Sequence, residues 1–169
     1  YDLTDGNGNI YIKSKHLLSV TDLDLSQRIG DMLAAGVNSF KIEGRLKDRV
    51  YLRNVVSHYR RLLDEQIALH PNCRRASVGV SQVEFTPNTA KSFTRGGGIY
   101  LFDGKRAGVA SFDTPKALGE RIGSVTRVAK NRFMVDGNLQ ISTGDGICFI
   151  SNGEAVGTNI NAVDGGWIT

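Results

Sequence analysis

Cysteine is scarce in these 169 residues: there are two, Cys73 and Cys148. Thiols so far apart make neither a disulfide framework nor a metal-site spacing, so the expectation is two free thiols in a reducing compartment. The three histidines, His16, His58 and His70, are scattered as well. They form no HxH or HExxH pair, and nothing predicts a self-contained zinc site. No apolar run approaches the roughly 20 residues a membrane helix needs. No charged-then-apolar leader opens the chain. These absences predict a cytoplasmic protein with no membrane partner. The chain begins at Tyr1 and ends at Thr169, just past Trp167, and both ends read as cut from a longer protein.

Positive charge is missing from one region and concentrated in two others. Residues 133–169 hold no Lys or Arg and four acids. Residues 41–61 and 105–132 each hold seven Lys/Arg against two acids, within a net charge of +4. Two basic segments beside an acidic tail suit an anionic partner such as RNA, or else solvated basic helix faces. A charged fraction of 22% with 20 glycines reads as globular.

The first stretch, "DGNGN" at 5–9, is turn chemistry between two short extended pieces. A helix is expected next, N-capped by Thr21 or Asp22, with a stripe of Leu25, Ile29, Met32 and Leu33 and Gly36 at its C-terminal end. "VNSFKI" at 37–42 reads as a strand. A second helix is predicted from about Asp48 to Leu69, with Leu52, Val55, Val56, Tyr59, Leu62 and Leu63 on one face. Ile42-Glu43-Gly44-Arg45 spells a protease site used in tag removal, but a cloning scar would not join a strand to an amphipathic helix in register.

In α/β folds the loops after strand ends carry the chemistry, so Glu43 and Arg45 are the candidate catalytic residues. Gly44 lets the backbone turn, and Lys47 follows. The alternative is a salt bridge that ties the loop to its helix. "TRGGG" at 94–98 reads as a flexible crossover, or as a phosphate cradle beside Arg95; no GK[ST] follows to make a P-loop. "LFDGKRAG" at 101–108 is a second hairpin signal. From Thr114 onward "RIGSVTRV", "RFMV", "GICFI" and "WIT", separated by turn signals, predict about six strands of a small antiparallel barrel. An unfinished sheet there would expose an edge.

"YDLTDGNGN", "GVNSFKIEGRLKDRVYLRNVVSHYRRLLDE", "FTPNTAKSFTRG" and "ASFDTPKALGERIGSV" together resemble the C-terminal part of the U32 family, the collagenase-like peptidases. Within it they most resemble the branch that hydroxylates a cytidine of 23S ribosomal RNA. The resemblance implies an α+β fragment: the last βα units of a TIM-barrel-like domain over 1–70, a connector over 71–113 and a small β-barrel over 114–169. It also implies an iron–sulfur cluster held by cysteines upstream of Tyr1, with no cofactor in this chain. Members of the family act on ribosomal RNA, transfer RNA uridines or a quinone precursor.

The function expected is therefore RNA hydroxylation, with Glu43 and Arg45 at the barrel mouth. Lys47, Arg49, Arg53, Arg95, Lys105, Arg106, Arg121 and Arg127 would contact RNA phosphates. Two alternatives stand beside it. One is a non-catalytic RNA- or protein-binding module. The other is a peptidase, although no GxSxG, HExxH or Cys–His pattern supplies a nucleophile or metal-bound water.

Overall fold

A computed structural model describes residues 1–104, 109–137, 140–152 and 154–169. Strands β1 (Leu3–Thr4) and β2 (Ile10–Ile12) form an antiparallel hairpin. Asp5 ties its turn, its carboxylate accepting from the backbone of Asn7 and Asn9. The chain then makes a short strand, β3 (Asp22–Leu23), a 3-10 turn and helix α1 (Ile29–Ala34). Helix α2 (Arg49–Leu69) follows. Strand β4 (Gly97–Gly98) returns to lie parallel to β3.

α2 matches the sequence expectation closely, because its start is written locally. Asp48 sits in extended backbone and its side chain accepts from Tyr51 N at 2.7 Å, satisfying one of the orphan N–H groups of the first turn. Val55 of α2 and Ile29 of α1 are buried, and each such side chain contributes about 1.5–3 kcal/mol by leaving water.

Three expectations in this half need correcting. α1 begins at Ile29 without a side-chain cap, because Asp22, one of the two expected caps, is drawn into the pairing with Gly97. Gly36 does close the helix, at φ +89°. Residues 37–42 form no strand. The Val37 N–H closes α1 on Met32 O, and among the described residues no ladder takes up the backbone of 38–42. Val37, Phe40 and Ile42 stay partly open to solvent. A lone extended segment has no ladder to join, so the expected βα unit is not formed. "TRGGG" is not a loose crossover either, since two of its glycines are β4.

The C-terminal part is all β. Strands β5 (Val125–Ala129), β6 (Arg132–Val135), β9 (Val163–Asp164) and β10 (Trp167–Ile168) make one sheet in the order β5-β6-β10-β9. Strands β7 (Gly146–Ser151) and β8 (Glu154–Asn159) pair with each other alone. The six strands are as expected in number, but the barrel is not closed among the described residues. Closure needs every strand paired on both sides, and β7–β8 makes no ladder with the four-stranded sheet. Ile160 and Ile168 form the small core here.

Gly123 fastens the sheet's entrance. Its φ is +148°, and a Cβ there would collide with the Asp136 carbonyl oxygen. The Asp136 carboxylate meanwhile accepts from Ser124 N.

Candidate functional site

The turn before α2 and the segment after residue 88 meet over one aromatic ring. Lys47 N donates to Gly44 O at 3.0 Å, closing the turn before the helix. Its Nζ lies 3.2 Å from the centroid of the Phe93 ring and 5.7 Å from that of Tyr51. The Arg95 guanidinium stands 5.9 Å from the same Phe93 ring. Asp22 holds Arg95 in place, accepting from its backbone N at 2.8 Å and its Nη2 at 3.0 Å. Arg95 Nε is buried without a hydrogen-bond partner. Two of the expected RNA-contacting cations thus share one aromatic platform, although Arg95 is also an anchor for β3 and β4.

Asn54, in the second turn of α2, fixes the geometry of that platform. Its Nδ2 donates to Asn88 O and Ser92 Oγ, and its Oδ1 accepts from Asn88 N at 2.8 Å. Asn88 in turn caps the short 3-10 turn Thr89–Lys91, accepting from Ala90 N at 3.0 Å. Phe93 follows directly after that turn.

Tyr59, further along α2, donates its hydroxyl to Asp24 Oδ1 at 2.7 Å. Burial pushes Asp24 upward, but the bonds from Tyr59 and Ser26 and the charge of His58 outweigh it and hold the carboxyl below its ordinary range. Burial, then the bond to Asp24 and its charge, push the Tyr59 phenol up. Burial raises Tyr51 as well, with Asp22 and Asp24 adding to it. Tyr51, Tyr59 and Asp22 line a cavity of about 590 Å³ whose wall also includes Glu43, Phe40 and Tyr100.

Glu43 is exposed and paired with Lys41 at 3.1 Å. Arg45 is exposed and is not part of that cavity wall. Gly44 does not adopt positive φ; it is small because a Cβ would lie 2.6 Å from Leu52 Cδ2. Arg49 is exposed, and Arg53 lies 5.7 Å from the Phe85 ring. Arg121 donates to Ser124 Oγ at 3.2 Å, and Arg127 is exposed on β5. Lys105 and Arg106 lie outside the described residues.

Among the described residues no cluster of His, Cys, Asp and Glu could hold a metal. Cys73 is half-buried, and the exposed Cys148 on β7 donates to Leu118 O. The residues described therefore do not fit an iron–sulfur cluster. Of the two serines weighed as nucleophiles, Ser92 accepts from Asn54 and Ser111 Oγ donates to Thr114 O, and neither bond is to a histidine. No described helix is long and apolar enough to cross a membrane.

Sequence reasoning missed Asn54, Asn88, Phe93, Asp22, Asp24 and Tyr59. One signal was available: in "KSFTR" an aromatic is flanked by two cations at even spacing. The Asn54 clamp had none, because an Asn inside an amphipathic helix names no partner.

Lys47 and Arg95 thus place two cations about one aromatic ring, Phe93, which also borders a cavity that Asp22, Tyr51 and Tyr59 line. The chain belongs to peptidase family U32, whose family model matches residues 1–106. It is 38% identical over 164 residues to the 23S rRNA 5-hydroxycytidine C2501 synthase of Escherichia coli, covering 97% of this chain and 25% of that protein. It is also 38% identical over 74 residues to the tRNA hydroxylation protein P1 of Bacillus subtilis, covering 40% of this chain and 18% of that one. The chain thus spans a quarter or less of the curated relatives it matches. No solved structure matches it.

Proposed function

We infer that this chain is part of an RNA-modifying pyrimidine hydroxylase of the 23S rRNA cytidine type, and that its own share of the work is to bind and orient the RNA. The observation that carries this is the 38% identity across 97% of the chain to a 23S rRNA 5-hydroxycytidine synthase. The likeness to a tRNA hydroxylation protein supports RNA as the substrate class. Lys47 and Arg95 over Phe93 supply the kind of surface such a substrate needs.

In this reading Lys47, Arg49, Arg53, Arg121 and Arg127 contact phosphates. Glu43 and Arg45, on the turn before α2, orient the reacting base. Inserting oxygen into a pyrimidine needs a redox group, and among the described residues no cluster of His, Cys, Asp and Glu could hold a metal for one. What these side chains contribute is binding, orientation and neutralisation of charge.

The test is genetic and chemical. The gene of the intact protein is deleted, and nucleosides of ribosomal and transfer RNA are compared by mass spectrometry. The expected result is the loss of one pyrimidine carrying an extra oxygen, restored by the wild type and not by Glu43→Gln. Unchanged RNA in the deletion strain would overturn the reading. Binding of single-stranded RNA should weaken with salt at a log–log slope of about −0.7 per phosphate contact.

A further inference from the structure

A second cleft opens beside the Phe93 platform. It is about 1120 Å³ and lies between the 88–93 segment on one side and residues 117–122 and 140–148 on the other. Its size exceeds the ordinary range of small-ligand pockets, about 300–1,000 Å³, and suits part of a polymer. Its charged lining is balanced: Lys91 and Arg121 line it together with Glu120 and Asp145, and with the amides of Asn88 and Gln140. A phosphate track would be cationic. A balanced set of donors and acceptors instead matches the edge of a nucleobase, which carries both.

One pair in the cleft has a fixed polarity. Asn88 Oδ1 is committed to Ala90 N, which turns its Nδ2 outward to donate to Glu120 Oε1 at 3.1 Å. Asn88 itself cannot swing away, because Asn54 holds its backbone N and O. The Glu120 carboxylate has acceptor capacity left: its Oε2 is 3.9 Å from Lys91 Nζ, a loose pair, and its side chain is 43% exposed. A carboxylate acceptor beside an amide donor is complementary to a base edge with an exocyclic amine next to a ring nitrogen. Cytosine and adenine present that edge; uracil presents the reverse, a ring N–H beside a carbonyl.

Resting on the RNA reading above, we propose that this cleft reads an unpaired, amino-bearing base, with Glu120 accepting from the exocyclic amine and Asn88 donating to the ring nitrogen. Phe93 borders both this cleft and a separate cavity of about 610 Å³ that Tyr51, Asp22 and Gly97 also line. The strand held by the Lys47–Phe93–Arg95 cluster can therefore run directly into it. Glu120 is a specificity-determining residue in this scheme.

The experiment measures binding of the intact protein to labelled oligocytidylate and oligouridylate by fluorescence anisotropy at one salt concentration. One well-placed base contact discriminates by roughly tenfold or more, so oligocytidylate should bind about tenfold tighter. Glu120→Gln, whose amide can present a donor to uracil, should reduce the preference to about twofold or less. Glu120→Asp, which keeps the carboxylate, should retain most of it. Equal binding of the two oligomers by the wild type would overturn the inference, as would an unchanged preference in Glu120→Gln. If the deletion strain lacks the modification while the protein binds both oligomers equally, this inference falls and the RNA reading stands. If the protein binds neither oligomer and the deletion leaves RNA unchanged, both fall.

Discussion

Tyr59→Phe deletes one hydroxyl and leaves the ring. In the folded protein that hydroxyl donates at 2.7 Å to a half-buried carboxylate, Asp24. A hydrogen bond to an ionised group contributes about 1.5–3 kcal/mol. Both groups are half-buried, so the lower part of that range applies, about 1.5–2 kcal/mol. Every tenfold in an equilibrium is about 1.4 kcal/mol, and peptides spanning 20–26 and 55–62 of the intact protein should lose roughly tenfold or more of their hydrogen-exchange protection.

The pH dependence gives a sharper test. Asp24 is held below the ordinary aspartate value of about 3.9, so the folded state prefers its ionised form. The stability this supplies is complete above about pH 4 and is lost as pH falls through the lowered folded value. Removing the Tyr59 donor leaves only the Ser26 bonds and the His58 charge to oppose burial, which pushes Asp24 the other way. The gap in protection between wild type and Tyr59→Phe should therefore be full at neutral pH and shrink below about pH 4. On the alkaline side the raised Tyr59 phenol favours the neutral form when folded. That contribution is complete below the ordinary tyrosine value of about 10 and is lost only as pH rises beyond it. A gap that stays constant from neutral to acid pH would refute the ion-assisted bond.

Three further outcomes follow from particular contacts. Gly123→Ala meets the Asp136 carbonyl and a backbone φ of +148°, and should cost about 1–3 kcal/mol, seen as lost exchange protection across β5 and β6. Asn54→Ala removes the three bonds that hold Asn88 and Ser92. It should cost about 1–3 kcal/mol and loosen residues 88–92 first, while the α2 amides beyond residue 60 keep their protection. Lys47→Gln should weaken single-stranded RNA binding uniformly across sequences and reduce the magnitude of the salt slope by about 0.7. A slope equal to wild type would remove Lys47 from the phosphate contacts.

Local signals in the sequence were legible and distant ones were not. α2 could be placed to within a residue because Asp48 caps it and its apolar stripe is long. "RFMV" and "GICFI" became β6 and β7 because turn residues bound them. The segment 37–42 carries three apolar residues, Val37, Phe40 and Ile42, but a strand also needs a partner, and apolar residues do not say whether one is present. β4 is two glycines, which have no side chains to signal a pairing with β3. At the site, the basic character of Lys47, Arg49, Arg53 and Arg95 was plain, but Phe93 as the shared platform of Lys47 and Arg95 depends on Asn54, and that clamp crosses 34 residues of chain.

The pairing of β3 with β4 also sets an order of events. Asp22 and Arg95, which close it, are 73 residues apart. Closing so long a loop must await both ends and carries an entropic cost before any contact rewards it. The first hairpin and α2 are local and can form while the chain is still emerging from the ribosome. The clefts on either side of Phe93 cannot exist until residues 88–98 have been made and docked. The clefts on either side of Phe93 therefore assemble after the helix beneath them, and local unfolding is expected to dismantle them before it.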